Sequence, residues 1–281
     1  MRIVIVALAA GLLLPCHAQA DDAGSGPAAG ARAPASPGGW TLTLGAASVL
    51  GPAWQGSKDL ALSLFPDLRL NYGDNLFASV PDGLGWNALN RDGWKAGPLA
   101  KVRFGRKESS GGSQFLLSGG SDALRGLGDI PAAAELGGFV EKRWGTTGQW
   151  RLRAEVRRGF GGHEGVLADG SLSYQMRLDR MIVSAGPRAT AASGGFMRVY
   201  FGTDAAQSRR SGLAQYRPDG GLLSYGVGGT LIWPLDRRNT VTLFTGLDRL
   251  GSAAARAPLV SQRGQPTQFS IGLGYGIRLT L

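Results

Sequence analysis

Hydrophobic and polar positions alternate along most of the chain from Trp40 onward. The final segment, FSIGLGYGIRLTL (269–281), shows it most clearly. Its odd positions are Phe269, Ile271, Leu273, Tyr275, Ile277, Leu279 and Leu281, while its even positions are Ser270, Gly272, Gly274, Gly276, Arg278 and Thr280. Side chains of a β-strand point alternately to its two faces, so this segment has one wholly apolar face and one small or polar face. The same period of two recurs upstream. WTLTLGA opposes Trp40, Leu42 and Leu44 to Thr41, Thr43 and Gly45. DLRLNY opposes Leu68, Leu70 and Tyr72 to Asp67, Arg69 and Asn71, and AKVRFG opposes Ala100, Val102 and Phe104 to Lys101, Arg103 and Gly105. WRLRAEVR carries Arg151, Arg153, Glu155 and Arg157 on one face, and SLSYQMRL carries Arg177. The segments at 223–235 and 240–248 repeat the pattern, and Asp248 falls on the polar side.

Two features separate this pattern from a soluble sandwich. The charged face is continuous, while the opposite face carries large aliphatic and aromatic residues. The segments also run to about ten residues, the length of a tilted strand that crosses a bilayer. Trp40, Tyr72, Trp94, Trp144, Trp150, Tyr174, Tyr225 and Trp233 sit near segment ends, where aromatic girdles of a membrane barrel lie. The expected fold is all-β: a transmembrane, antiparallel, up-and-down β-barrel occupying 40–281.

Strand parity follows from placing both termini and the short turns in the periplasm. Counting back from the last strand makes 251–266, 193–219 and 106–132 external, together with FGGHEG, and makes LDRRN, Asp179-Arg180 and GTTGQ periplasmic. Two conditions enter: FMRVYFG (196–202) belongs to an external loop, and NLFASV and GLGWNAL form two short strands around Pro81-Asp82-Gly83. The total is twelve strands, within a range of ten to twelve.

The N-terminus adds a location. MRIVIVALAAGLLLPCHAQA has Arg2, an apolar run from Ile3 to Leu14 and Ala18-Gln19-Ala20. This reads as a secretory signal peptide, 1–20, cleaved after Ala20. A lipid-anchored Cys16 is the alternative, but Pro15 before it fits poorly. Cys16 is the only cysteine, so the mature chain contains no disulfide. Residues 21–39, rich in Gly, Ala, Pro and Ser, read as a disordered periplasmic leader.

Composition then narrows the chemistry. The net charge of +10 would suit nucleic acid, but export and the period-two spread of the basic residues argue against it. After cleavage one histidine remains, His163 in GGHEG. It lacks a serine at meaningful spacing for nucleophilic catalysis and lacks companions for a metal site, so the expectation is a solvated loop histidine, no cofactor and no enzymatic activity. Glycine pairs such as GLGDI have no strand–loop–helix context for a nucleotide. The polar face instead nominates a charged lumen: Arg69, Lys101, Arg103, Glu141, Arg151, Arg153, Glu155, Arg157, Arg177, Asp248 and Arg278, with Asp67. Such a lumen is either closed by mutual ion pairing or a narrow anion-preferring path. SRRSG (208–212) and ARAP (255–258) are basic external stretches suited to lipopolysaccharide phosphates or to solvent.

Several motifs resemble the MipA/OmpV family of Gram-negative outer-membrane proteins. They are GPAWQGS (51–57) with LFPDLRLNYGDNLFAS (64–79), GPLAKVRFGRKES (97–109), ELGGFVE (135–141) with RRGFGGHEGVLADGSLSY (157–174), YFGTDAAQSRRSGLAQYRPDGG (200–221), and SAAARAPLVSQRG (252–264) with the terminal strand. The ordered set spans nearly the whole mature chain. The resemblance implies an outer-membrane barrel acting as a scaffold, since the family's namesake binds a lytic transglycosylase and a bifunctional peptidoglycan synthase. Other members are described as porin-like or as adhesins. It also implies contact with the outer-membrane assembly machinery through Phe269, Tyr275 and the last residue, although Leu281 stands where the family ends in an aromatic.

Overall fold

The computed structural model describes residues 39–112 and 115–281. The signal segment 1–20 and the leader up to residue 38 lie outside the described residues. Twelve antiparallel strands close into a barrel. They are β1 (Trp40–Pro52), β2 (Leu60–Tyr72), β3 (Leu76–Ser79), β4 (Gly83–Trp86), β6 (Trp94–Arg103), β8 (Ala133–Trp144), β9 (Trp150–Gly161), β10 (Val166–Leu178), β11 (Met181–Ala192), β12 (Gly221–Pro234), β13 (Asn239–Leu250) and β14 (Thr267–Thr280). Two short strands, β5 (Leu89–Arg91) and β7 (Leu116–Gly119), pair with β6 and β2. β14 closes the wall against β1, in register from Thr41 opposite Thr280 to Leu50 opposite Ile271. Backbone groups in hydrocarbon must be satisfied internally, and closure achieves this without an edge at either chain end.

The alternation decides which face meets lipid. Leu44, Leu68, Leu152, Val156, Val227, Leu247, Leu273 and Ile277 are all exposed on the outer wall. Trp40 packs on Tyr72 at 5.0 Å, and Trp150 on Tyr174 at 4.9 Å, along the short-turn end. Amphipathic rings gather there because the headgroup region accepts both their apolar bodies and their polar tips. The turns at this end are tight. Arg91 and Trp94 flank a two-residue turn in which Asp92 (φ 53°) and Gly93 (φ 75°) both adopt positive φ, as this hairpin turn requires.

The short strands expected around Pro81-Asp82-Gly83 are present. β3 and β4 pair from Leu76 opposite Trp86 to Ser79 opposite Gly83, so this hairpin reaches only part of the height of the wall. Above it, β7 takes over on the free side of β2, with Ala61 opposite Gly119 and Leu62 opposite Ser118.

The outer loops fold together into a cap. The segment 196–202 lies in the external loop, where it forms most of helix α1 (Gly194–Phe201); α2 (Ala205–Ser211), α3 (Ser252–Ala255), α4 (Pro258–Arg263) and a 3-10 turn at Asp122–Leu124 complete the cap. Its core joins Trp54, Leu124, Leu127, Ile130, Leu167, Phe196, Met197, Tyr200, Phe201, Leu213, Leu259 and Val260. Apolar burial is the driving force here, because these loops face water rather than lipid. Polar clasps hold the layers. Arg263 donates to the carbonyls of Ala123 (2.8 Å) and Ser211, Arg106 to that of Tyr200 (3.1 Å), and Gln207 to that of Leu127 (2.7 Å). The Glu108 carboxylate accepts from the N–H groups of Gly126 (2.9 Å) and Gly128 (2.7 Å). Asp204 and Gln207 form a reciprocal capping box on α2.

Because the cap has its own core, its stability separates from that of the wall. Phe196→Ala removes a fully buried ring and is expected to cost the cap about 3–5 kcal/mol. Limited proteolysis will then cut within 193–220, while heat-modifiable gel migration still reports a folded barrel.

Candidate functional site

The inner face of the barrel has two unlike halves. Along β12, β13, β14 and β1 the inward positions are mostly small: Gly226, Gly228, Thr242, Gly246, Gly272, Gly274, Gly276, Gly45 and Ala47. Along β6, β8, β9 and β10 they are charged and joined in one network. The Phe244 ring lies against Gly272 and the Arg188 guanidinium against Gly246.

The network is built around buried carboxylates. Glu141 accepts from Arg143 (2.9 Å), Arg151 (2.7 Å) and Arg153 (3.1 Å). Glu155 faces Lys101 (2.9 Å), Arg153 (2.7 Å) and Arg157 (3.5 Å). Glu135 is fully buried and receives Arg103 (2.6 Å) and Arg157 (2.5 Å). Arg157 also reaches Asp169, which accepts from the Thr190 hydroxyl at 2.7 Å. Registry explains the clustering. Glu141 lies opposite Arg153 and Lys101 opposite Glu135 on neighbouring strands, and side chains on one face of adjacent strands meet. Arg153 stacks over Phe139 at 4.3 Å and Arg103 over Phe196 at 5.1 Å.

The remaining nominated residues fall outside this cluster. Arg69 pairs with Asp67 at 2.7 Å and approaches Asp82 at 3.9 Å. Asp248 holds Arg188 through a two-point contact, with Nε at 2.8 Å from one carboxylate oxygen. Arg177 and Arg278 have inward parity near the short-turn end and have no ion pair among the described residues. Phe269 and Tyr275 lie on the outer face; the Tyr275 hydroxyl donates to Asn239 at 2.5 Å, and the Leu281 N–H donates to the Trp40 carbonyl at 3.0 Å. At the same end the Asp236 carboxyl is lowered from its ordinary value, because the N–H of Arg238 and the amide and N–H of Asn239 donate to it.

His163 overturns the solvated-loop expectation. It is buried beneath the cap, with Phe196 edge-on at 5.0 Å and Tyr200 at 6.2 Å. The N–H of Gly165 donates to Nδ1 at 3.2 Å, so Nε2 carries the proton and donates to Glu135 at 3.0 Å. The ring lies flat over Gly159, where a Cβ would fall 2.1 Å from it. A short Gly-rich turn hides its burial in sequence, because the aromatic partners come from α1, thirty residues later.

Sequence reasoning also missed Glu135, Asp169, Arg143 and Arg188. Glu135 and Arg143 share the parity of Glu141 on β8, so the same alternation could have found them. Arg188 and Asp169 lie in runs of Ala, Gly and Ser whose outer face is weakly hydrophobic, and there the period-two signal fades. Among the described residues no group of His, Cys, Asp and Glu side chains is arranged to hold a metal ion.

The buried carboxylate beneath the cap is the most consequential single group. Glu135→Gln leaves Arg103 and Arg157 without their shared charge and is expected to destabilise the protein by about 3–5 kcal/mol. Denaturant-dependent gel migration in liposomes will read this as an earlier unfolding midpoint, whereas Arg278→Gln leaves the midpoint nearly unchanged.

Among solved structures, the chain resembles an outer-membrane channel of Pseudomonas putida F1 (16% identity, TM-score 0.45, covering 87% of this chain and 97% of that one). It also resembles the NanC porin (12% identity, TM-score 0.37, covering 85% and 100%) and Neisserial surface protein A (10%, TM-score 0.27, covering 85% and 96%). No curated protein matches the chain. A family model described as "MltA-interacting protein MipA" matches residues 44–279, which is most of the barrel. The chain therefore belongs to the MipA family of outer-membrane β-barrel proteins.

Proposed function

We propose that this barrel is a non-catalytic scaffold that holds peptidoglycan-remodelling enzymes, a lytic transglycosylase and a peptidoglycan synthase, at the periplasmic face of the outer membrane. The observation that carries this reading is the packed cap. A lumen covered at its outer end by loops that share a hydrophobic core, and lined along one wall by ion pairs, suits an anchor better than an open pore. The family description, an MltA-interacting protein, supports the partner class. Absence of catalysis is supported by His163, since both ring nitrogens are engaged by Glu135 and Gly165 and neither faces a nucleophile. Export by the 1–20 signal, insertion by the assembly machinery reading Phe269, Tyr275 and Leu281, and contact of the external basic residues Arg209 and Arg210 with lipopolysaccharide phosphates complete the proposal.

A second reading has its own observation. Arg177 and Arg278, with inward parity near the periplasmic end and no ion pair among the described residues, add positive charge there, as an anion-preferring path would use. Planar-bilayer recording separates the two. The scaffold reading expects no stable conductance from the wild type, and reproducible anion-selective steps would overturn it in favour of the pore. Affinity capture of solubilised full-length protein from envelope extract is expected to recover a lytic transglycosylase or a peptidoglycan synthase, and recovery of neither would defeat the scaffold. His163→Ala is expected to loosen the cap without removing partner capture.

A further inference from the structure

The short-turn rim of the barrel carries its charge unevenly. On the half formed by β2 to β9 the cations near the turns are mostly engaged. Lys95 pairs with Asp74 (2.8 Å), and Arg143 and Arg151 share Glu141 (2.9 and 2.7 Å). Lys142 donates to the Asp92 carbonyl (2.7 Å) and lies over the Trp94 ring at 4.8 Å. Arg91 stands by itself there. On the other half, β10 to β14, Arg177, Arg180, Arg237, Arg238 and Arg278 lie together. The first four are exposed and Arg278 is half-buried. None of the five is in an ion pair among the described residues.

Register makes these residues one arc. Ile182 pairs with Arg177 on one side and with Ile232 on the other, which sets the Asp179-Arg180 turn beside the turn at 235–238. The Arg278 N–H donates to the Arg238 carbonyl at 2.8 Å, which ties that second turn to the end of β14. Neighbouring strands lie about 4.8 Å apart, so the arc from β10 to β14 spans about 19 Å. The acids within it give little relief. The Asp236 carboxylate is taken by its own turn, accepting from the N–H groups of Arg238 (2.7 Å) and Asn239 (2.8 Å) and from the Asn239 amide (2.7 Å). Asp179 is exposed and outside any ion pair among the described residues. The hydrogen bonds to Asp236 also fix the turn in advance, so a partner spends little on ordering it.

We propose that this arc docks an acidic peptide segment of a periplasmic protein; the proposal rests on the scaffold reading and names the surface which that reading uses. Guanidinium groups bind carboxylates through paired N–H donors. The arc is longer than one small anion, and about six residues of extended chain cover it, at about 3.3 Å each. Arg177 and Arg278 have inward parity, away from lipid head groups, so a ligand that meets all five arginines comes from the aqueous side. Adjacent like charges repel, and a run of Glu or Asp relieves that repulsion.

The test uses full-length protein in phosphatidylcholine nanodiscs titrated with fluorescein-labelled hexaglutamate, read by anisotropy. Saturable binding is expected, absent for hexaglutamine and weakened by raising salt from about 50 to about 300 mM. Arg237→Gln combined with Arg238→Gln is expected to weaken it about tenfold. Arg209→Gln combined with Arg217→Gln, which removes the same charge from the outer cap, is expected to leave it unchanged. Equal losses in the two double variants would reduce the effect to net charge and overturn the arc. Preferential retention of phosphatidylglycerol by the wild type in native mass spectrometry, without hexaglutamate binding, would assign the arc to lipid head groups and overturn the peptide. Should the 237/238 variant fail to fold by gel migration, the wild type provides a second measurement. Hexaglutamate is expected to protect Arg237 and Arg238 from phenylglyoxal, and protection no greater than at Arg209 overturns the arc. Partner capture keeps the two readings apart. Equal capture of a lytic transglycosylase or peptidoglycan synthase by the wild type and the 237/238 variant overturns the arc and spares the scaffold. Hexaglutamate binding at the arc with neither enzyme captured supports the arc and defeats the scaffold.

Discussion

Backbone pairing in a solvent without hydrogen-bond partners is the constraint on which this structure depends. Every N–H and C=O within the hydrocarbon must find a partner in the chain, since an unsatisfied group there costs several kcal/mol. Pairing of β1 with β14 meets that demand at the two ends of the sheet. Once the sheet is closed, alternation along each strand leaves no freedom in facing. Apolar residues must go out to lipid, and whatever remains must go in. The charged lumen is in this sense a consequence of the membrane, before it is a feature of function.

A lumen filled with arginines then has to be made tolerable. Charges removed from water are costly unless paired and hydrogen-bonded. The chain answers by placing carboxylates at the same parity on β8 and β9, so that Glu135, Glu141 and Glu155 each bridge two or three cations. Glu135 has a further role because it sits at the boundary with the cap. It joins the ion-pair wall through Arg103 and Arg157, and the cap through His163, which packs on Phe196 and Tyr200. Glu135 is thereby one link between the ion-pair wall and the cap.

The cap is a second answer to a different solvent. Outside the membrane the ordinary hydrophobic effect returns, and Phe196, Met197, Phe201, Leu259 and Val260 collapse inward as in a soluble protein. A barrel that carries a folded, water-facing core over its mouth favours anchoring over free exchange.

The strands were legible because period-two alternation survives wherever the outer face is strongly apolar, as in 150–157 and 269–281. Parity alone placed Arg151, Arg153, Arg157, Glu141 and Glu155 on the inner face. The resemblance to the family, rather than periodicity, pointed to the partner class. The cap was not legible, because helices of four to eight residues in long loops carry too few turns for a helical period to emerge. His163 was misread for a related reason: its burial depends on α1 and its charge partner on β8, both distant in sequence. By itself the sequence determined the barrel, its inner and outer faces and its approximate strand number, since these follow from local alternation and solvent. Tertiary structure alone decided which charges meet and how the outer loops pack, since those depend on register and on contacts between distant segments.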